Sequence, residues 1–265
     1  MTCELTITTL NVASPSTKRA ERILDWLGQR DDDILILTET RATEGTHTLS
    51  DGLAGAGWEV RLPQLGDRER GVLLASRLAL APRAGDLVTY LPGRVEAATI
   101  AGAEIDVIGV YIPSRDHTEP MIARKRRFVD ELRTALARAQ SRPTVLLGDL
   151  NILEPDHWPR HTWFHPWEYE LYESLLSNGW TDAYRAHRVG TIEHSWVSPD
   201  GDGYRFDHAF VSSALQPKLV ACHIVHEPRE TGLSDHSALE LRVASQTPKR
   251  LETAATLQAG PPALF

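Results

Sequence analysis

The chain is poor in cysteine. It has two in 265 residues, Cys3 and Cys222, with no CxxC pair and no Cys/His zinc spacing. They read as two reduced thiols, one near the terminus and one in a strand, which excludes a disulfide scaffold and a structural zinc site. A basic surplus is also missing: 28 Lys and Arg stand against 36 Asp and Glu, a formal charge of -8. That excludes a cationic coat for nonspecific nucleic-acid binding. It leaves room for a local basic rim at a site whose metal offsets the carboxylates around it. No apolar run is long enough to cross a bilayer. The N-terminus lacks the basic flank and apolar stretch of a signal peptide. A cytoplasmic protein without a membrane span or an obligate protein partner is expected. Neither an internal repeat nor a linker before Ser245 is found, so the expectation is one domain over residues 1–244 and a flexible tail over 245–265, with a weak helix near Leu251–Leu257.

What is present is ordinary globular material, 42% hydrophobic and 24% charged, with seven Trp. Strands are expected at Leu5–Val12, Asp33–Thr38, Val72–Ala75, Asp106–Ile112, Thr144–Leu147, Phe206–Val211, Leu219–Val225 and Ser237–Val243. Helical periodicity places Ala20, Ile23, Leu24 and Leu27 on one face, and Ile122, Phe128, Val129, Leu132, Ala135 and Leu136 on another. A further helix around Trp167–Ser177 stops at Asn178-Gly179. Helices interleave with strands, yet several strands follow one another directly. That mix predicts a layered α/β sandwich with mixed sheets.

A polar residue recurs at the end of an apolar strand. Asn11 follows Leu10, Glu39 follows Leu37-Thr38, and Tyr111 ends the run from Val107. Asp149 and Asn151 follow Val145-Leu146-Leu147, and Asp207 stands between Phe206 and His208. Singly, each is a turn former or a solvated side chain. Together they predict one crevice, because strand ends in α/β layers gather at one rim.

The pieces Thr9-Leu10-Asn11-Val12, Leu37-Thr38-Glu39-Thr40, Val110-Tyr111-Ile112-Pro113, Gly148-Asp149-Leu150-Asn151, Tyr204-Arg205-Phe206-Asp207-His208 and Ser234-Asp235-His236-Ser237 resemble, in order, the signatures of the endonuclease/exonuclease/phosphatase superfamily. The resemblance runs from about residue 5 to residue 243. It implies a four-layered α/β sandwich of the deoxyribonuclease I type, two mixed β-sheets between outer helices, with the site at one rim. It implies Glu39 as the main metal ligand, Asn11 supporting the metal or phosphate, and Asp235 facing the metal side. Hard oxygen donors suit Mg²⁺, with Mn²⁺ able to substitute. Catalytic roles are implied for Asp149 and Asn151 (water and phosphate), Tyr111 (a phosphate oxygen) and His236 paired with Asp207.

A Mg²⁺-dependent nuclease acting on DNA is therefore the expected function, with nucleic acid as substrate. The alternatives are a phosphatase or phosphodiesterase for small phosphorylated molecules or lipid head groups, and an inactive binding relative. The chain departs from the abasic-endonuclease pattern at Val12-Ala13-Ser14, at Ser114, and in the short Gly-rich loop between Trp196 and Asp207. Phosphate hydrolysis is implied all the same, and abasic-site specificity is left open.

Three other features stand out. His157, His161 and His165 recur every fourth residue, but Pro159 and Pro166 interrupt the stretch, so it reads as a surface loop, with a second metal site as the alternative. Arg124-Lys125-Arg126-Arg127 reads as a solvated helix face, with phosphate contact as the alternative. Trp158, Trp163 and Trp167 read as packing for the loop that carries them, with base stacking as the alternative.

Overall fold

Apolar residues that alternate along these strands have both faces to bury, and the fold supplies a neighbour for each. The computed structural model describes residues 2–83, 87–139, 141–246, 250–254 and 257. From the N-terminus, β1 (Thr2–Asn11) leads through α1 (Thr17–Gly28) to β2 (Ile34–Thr40), α2 (Glu44–Gly55), β3 (Glu59–Arg61) and β4 (Gly71–Ser76). Next come β5 (Leu80–Pro82), β6 (Val95–Ile100), β7 (Ile105–Tyr111), α3 (Glu119–Ala139), β8 (Thr144–Asp149) and α4 (Pro166–Ser177). Short elements follow: β9 (Thr181–Asp182), α5 (Ala183–His187), β10 (Trp196–Val197) and β11 (Gly203–Tyr204). Then β12 (Asp207–Val211), β13 (Leu219–Val225), α6 (Glu227–Glu230) and β14 (Ala238–Gln246) complete the order.

Two six-stranded sheets result, in the orders β13-β14-β1-β2-β4-β3 and β5-β6-β7-β8-β12-β9. Each is mixed, with one parallel pair (β1 with β2, β7 with β8) among antiparallel neighbours. Ile34 and Ile36 of β2 face the space between the sheets, where they meet Val107, Val145 and Leu147. Leu35 and Leu37 point the other way, onto Ile23, Leu24 and Leu27 of α1 and Leu49 and Leu53 of α2. Ile108 and Val110 of β7 likewise meet Phe128 and Leu132 of α3 and Leu171 of α4. The period-2 alternation of each strand thus builds three apolar layers and the expected sandwich of helix, sheet, sheet and helix.

Several expectations need correcting. Glu39 does not follow β2 but lies within it, at a bulge between Thr38 and Thr40, with φ +58. The tail does not leave the domain at Ser245: β14 runs to Gln246, and Arg250 pairs with Asp33 at 2.7 Å and with Asp31 at 2.6 Å. Leu257 is 1% exposed and packs with the α1/α2 layer. Residues 251–254 and 257 are not helical, and residues 255 and 256 of the expected helix lie outside the described residues. The basic run on α3 is not wholly solvated, because Lys125 is buried. No helix among the described residues is long and apolar enough to cross a membrane.

Candidate active site

The topology explains why the strand-end residues meet. Asn11, Glu39, Tyr111 and Asp149 all stand at the C-terminal ends of the two parallel pairs. Antiparallel neighbours bring their N-terminal ends to the same rim: Asp207 of β12 is directly opposite Asp149, and His236 lies just before β14, the antiparallel partner of β1. Gly148 makes the approach to Asp149 feasible. Its φ is +143, and a Cβ there would stand 2.0 Å from the Val110 carbonyl oxygen, so a side chain is excluded.

The fully buried Asn11 is the hub. Its Oδ1 accepts from the Ala13 N–H at 2.8 Å, which orients the amide so that Nδ2 donates to Glu39 Oε2 at 3.2 Å and Asp149 Oδ2 at 2.9 Å. Tyr111 donates its hydroxyl to the same Glu39 Oε2 at 3.0 Å. Asp149 Oδ1 accepts from the Asn151 N–H at 2.9 Å, and Asn151, at φ +48, donates Nδ2 to the Ile112 carbonyl at 3.0 Å. His236 Nδ1 meets Asp207 Oδ2 at 2.8 Å, with Asp207 fully buried. The two N–H bonds of Asn11 already serve carboxylates, so His236 Nε2, 3.4 Å from Asn11 Nδ2, is left to face the cleft. Asp235 is exposed on the cleft wall and accepts from Trp196 Nε1 at 3.1 Å.

The electrostatics follow from burial and proximity. Burial, then the neighbouring Asp207, push the Asp149 carboxyl up to about 7, against the opposing pull of His236 and Asn11. Burial alone would lower the His236 imidazole, but Asp207 outweighs it and raises the ring to about 9. Burial and the charges of Glu39 and Asp149 push the Tyr111 phenol up, which keeps it a hydrogen-bond donor. Burial lowers the Arg94 guanidinium to about 10.

Sequence reasoning missed several residues that hold this arrangement. Ser234 donates its hydroxyl to the Asn11 carbonyl and accepts from the His236 N–H at 3.1 Å, tying the Ser234–Ser237 loop to β1. Ser195 accepts from both the Phe206 and Asp207 N–H groups at 3.1 Å, and no local pattern marks it. Lys125 donates to the Asn151 carbonyl at 2.6 Å and pairs with buried Glu168, which also holds Arg115. Burial pulls the Lys125 ammonium below its ordinary value, and Glu168 opposes that. Arg70 reaches Glu39 from the loop before β4.

Glu39, Tyr111, Asp149, Asn151, Asp235 and His236 line a cleft of about 310 Å³, together with Trp163, Phe164, Trp196, Tyr204 and Phe206. Tyr204 and Phe206 stack at 4.9 Å, and Trp163 and Phe164 are 4.1 Å apart. Trp158 is 62% exposed and does not pack its loop, whereas Trp163 rests on Phe164 and the partly buried Trp167 packs with the Phe128 layer, as expected. The His157–His165 segment is a loop: His157 accepts from the Arg205 N–H at 3.1 Å, and burial lowers its imidazole to about 4. Among the described residues, no group of three or more His, Cys, Asp or Glu side chains is arranged to hold a metal ion. The cleft instead offers the carboxylate of Glu39, oriented by Asn11 and Tyr111, with Asp149 and Asp235 as further carboxylates of the lining. This donor set fits Mg²⁺ or Mn²⁺, which retain waters and bind through one or two carboxylates plus substrate phosphate.

Known proteins resemble this chain at modest identity. The zebrafish (Danio rerio) DNA repair nuclease APEX1 is 27% identical over 245 residues, covering 83% of this chain and 76% of the relative. A Neisseria 3' phosphatase, NExo, solved with a product DNA hairpin, superposes with TM-score 0.78 at 25% identity, covering 89% of this chain and 98% of that one. An AP endonuclease from Archaeoglobus fulgidus gives TM-score 0.77 at 25% identity, with the same coverage of 89% and 98%. The family model described as endonuclease/exonuclease/phosphatase matches residues 8–236, which include every site residue from Asn11 to His236, and the chain belongs to that family.

Proposed function

We propose that this protein is a Mg²⁺-dependent nuclease that hydrolyses phosphate esters in DNA. The observation that carries this reading is one cleft lined by Glu39, Tyr111, Asp149, Asn151 and His236, backed by the buried Asn11 and Asp207, together with aromatic rings suited to stacking a sugar or base. The three relatives described above, named for DNA repair or AP-site cleavage or solved with DNA, support the choice of substrate.

In this reading Glu39 holds the cation, with Asn11 orienting its carboxylate, Tyr111 doing so only until substrate binds, and Asp235 completing the acidic side of the cleft. Bound Mg²⁺ or Mn²⁺ would polarise a phosphoryl oxygen and stabilise the leaving oxygen. Asp149 and Asn151 align the attacking water with the phosphorus, and the water's proton passes to Asp149. Asp207 fixes the His236 ring through Nδ1, so that the Nε2 N–H donates to a non-bridging phosphate oxygen as negative charge builds there. Tyr111 offers its hydroxyl to the same phosphate once substrate is bound.

A second reading, a phosphatase for small phosphate esters, has one observation in its favour. Arg115 and Lys125 are both held by Glu168, which leaves the rim sparsely cationic for gripping a long duplex. A substrate panel in Mg²⁺ separates the two: plasmid, single-stranded DNA, an abasic duplex, a 3'-phosphorylated duplex, RNA, and sugar or inositol phosphates. Cleavage of DNA substrates that stops with excess chelator and returns with Mg²⁺ is the expected result. Turnover confined to sugar or inositol phosphates, or full DNA hydrolysis in chelator, overturns the nuclease reading.

A further inference from the structure

Besides His236, four Lys and Arg side chains among the described residues stand at the cleft or against its lining, and three are committed elsewhere. Arg115 and Lys125 are held by Glu168. Arg94 is buried behind Tyr111, with Nη1 on the Tyr111 carbonyl at 3.2 Å and its guanidinium carbon 4.5 Å from the ring centre. Arg70 differs. Its side chain is 40% exposed, and its Nε lies 3.1 Å from Glu39 Oε1 without making a hydrogen bond to any described residue.

The two oxygens of Glu39 are not equivalent. Oε2 accepts from Tyr111 and Asn11, so it is saturated by neutral donors. Oε1 faces the cation, and that cation is Arg70. A divalent ion approaching Oε1 meets a positive charge already beside it, and at such range in a half-buried site two cations repel strongly. The ion therefore competes with Arg70 for the carboxylate. The guanidinium sits on a long stem that is 40% exposed, which gives it room to turn away, and its planar fork matches the oxygens of a phosphate.

We propose that Arg70 is a further catalytic residue: it neutralises Glu39 in the metal-free chain and, when a divalent cation takes Oε1, passes to a non-bridging oxygen of the scissile phosphate. The inference rests on the phosphate-ester reading above. One residue then performs two tasks in sequence, keeping the carboxylate from standing unpaired and adding positive charge where the transition state develops negative charge. It couples metal binding to substrate capture, because only the metal-loaded chain releases the arginine.

The test measures Mn²⁺ affinity by titration calorimetry, without substrate, for the wild type, Arg70→Met and Arg70→Lys. It then measures turnover of the best panel substrate at saturating Mg²⁺. Removing the competing charge should tighten Mn²⁺ binding by about threefold to tenfold in Arg70→Met, while turnover falls by about tenfold to a hundredfold. Arg70→Lys should keep wild-type Mn²⁺ affinity within about twofold and recover part of the turnover, because a lysine carries the charge without the fork. Unchanged or weaker Mn²⁺ binding in Arg70→Met overturns the inference, and so does turnover within about twofold of wild type. The metal arm needs no substrate, so a wild-type chain that leaves DNA intact would refute the nuclease reading and leave the Arg70–metal competition to be judged by itself.

Discussion

Replacing Lys125 with Met retains most of the stem's volume and removes only the ammonium. That group lies 2.6 Å from the Asn151 carbonyl and 2.5 Å from Glu168 Oε1, with 2% of the side chain exposed. Removing one member of a buried ion pair costs about 3–5 kcal/mol, because the other charge is left without its partner. Glu168 retains Arg115 and the His165 N–H, so the lower end applies, about 3 kcal/mol. At about 2–4 °C per kcal/mol for a chain near this size, the melting temperature should fall by about 6–12 °C. Arg126→Met on the same helix is the control: Arg126 is exposed, and the change should stay within about 0.5 kcal/mol. Scanning calorimetry on the two variants reads the difference. Turnover of Lys125→Met should also drop by about tenfold to a hundredfold, since Asn151 loses the anchor of its carbonyl and shifts against the phosphate. If the two variants melt within about 1 °C of one another, the buried pair has no role in stability and the reasoning fails.

Three other predictions follow from the same kind of reading. His236→Ala should lower turnover by about 10²–10⁴-fold, and adding Asp207→Ala should do little more, because the two act as one unit; additive losses would show that they act separately. Leu257→Ala should cost about 2–4 kcal/mol and ending the chain at Gln246 more, measured by urea unfolding, and an unchanged midpoint for both would show that the Leu257 packing carries no stability. Although burial raises it, the Glu154 carboxyl is held down to about 2 by Arg185 and Arg205, so its ionised form stabilises the fold above the ordinary carboxylate range. That contribution should be lost as pH falls from about 4 towards 2, and the stability gap between wild type and Glu154→Gln should narrow over that window. A gap that stays constant between those pH values would count against the Glu154–arginine contacts.

The layered fold was legible in the sequence because strand alternation and helical periodicity are local. Ile34 and Ile36 against Leu35 and Leu37, or Val145 and Leu147 against Leu146, announce strands buried on both faces. Several of the cleft's polar residues were legible for a related reason: Asn11, Tyr111 and Asp149 stand where an apolar run ends. Lys125 carried a readable signal that charge obscured. It falls three, four and seven positions before Phe128, Val129 and Leu132, on the apolar face of its own helix, yet the run of basic neighbours suggested solvent.

Other features had no local signature. Glu39 enters the cleft through a one-residue bulge, which shifts a side chain without changing the composition around it. Arg70, Ser195 and Ser234 matter through partners 31, 12 and 223 positions away, and Leu257 is a single apolar residue in a stretch without periodicity. The amino-acid sequence by itself determined eight of the strands, the faces they bury and the polar residues beside them, but not β3, β5, β6, β9, β10 or β11. Only the tertiary structure decided which oxygen of Glu39 faces Arg70, which lysine lies under Asn151 and where Leu257 packs. Periodicity reports a residue's own neighbours, whereas those contacts depend on sheet register and loop path, which are set by the packing of the whole chain.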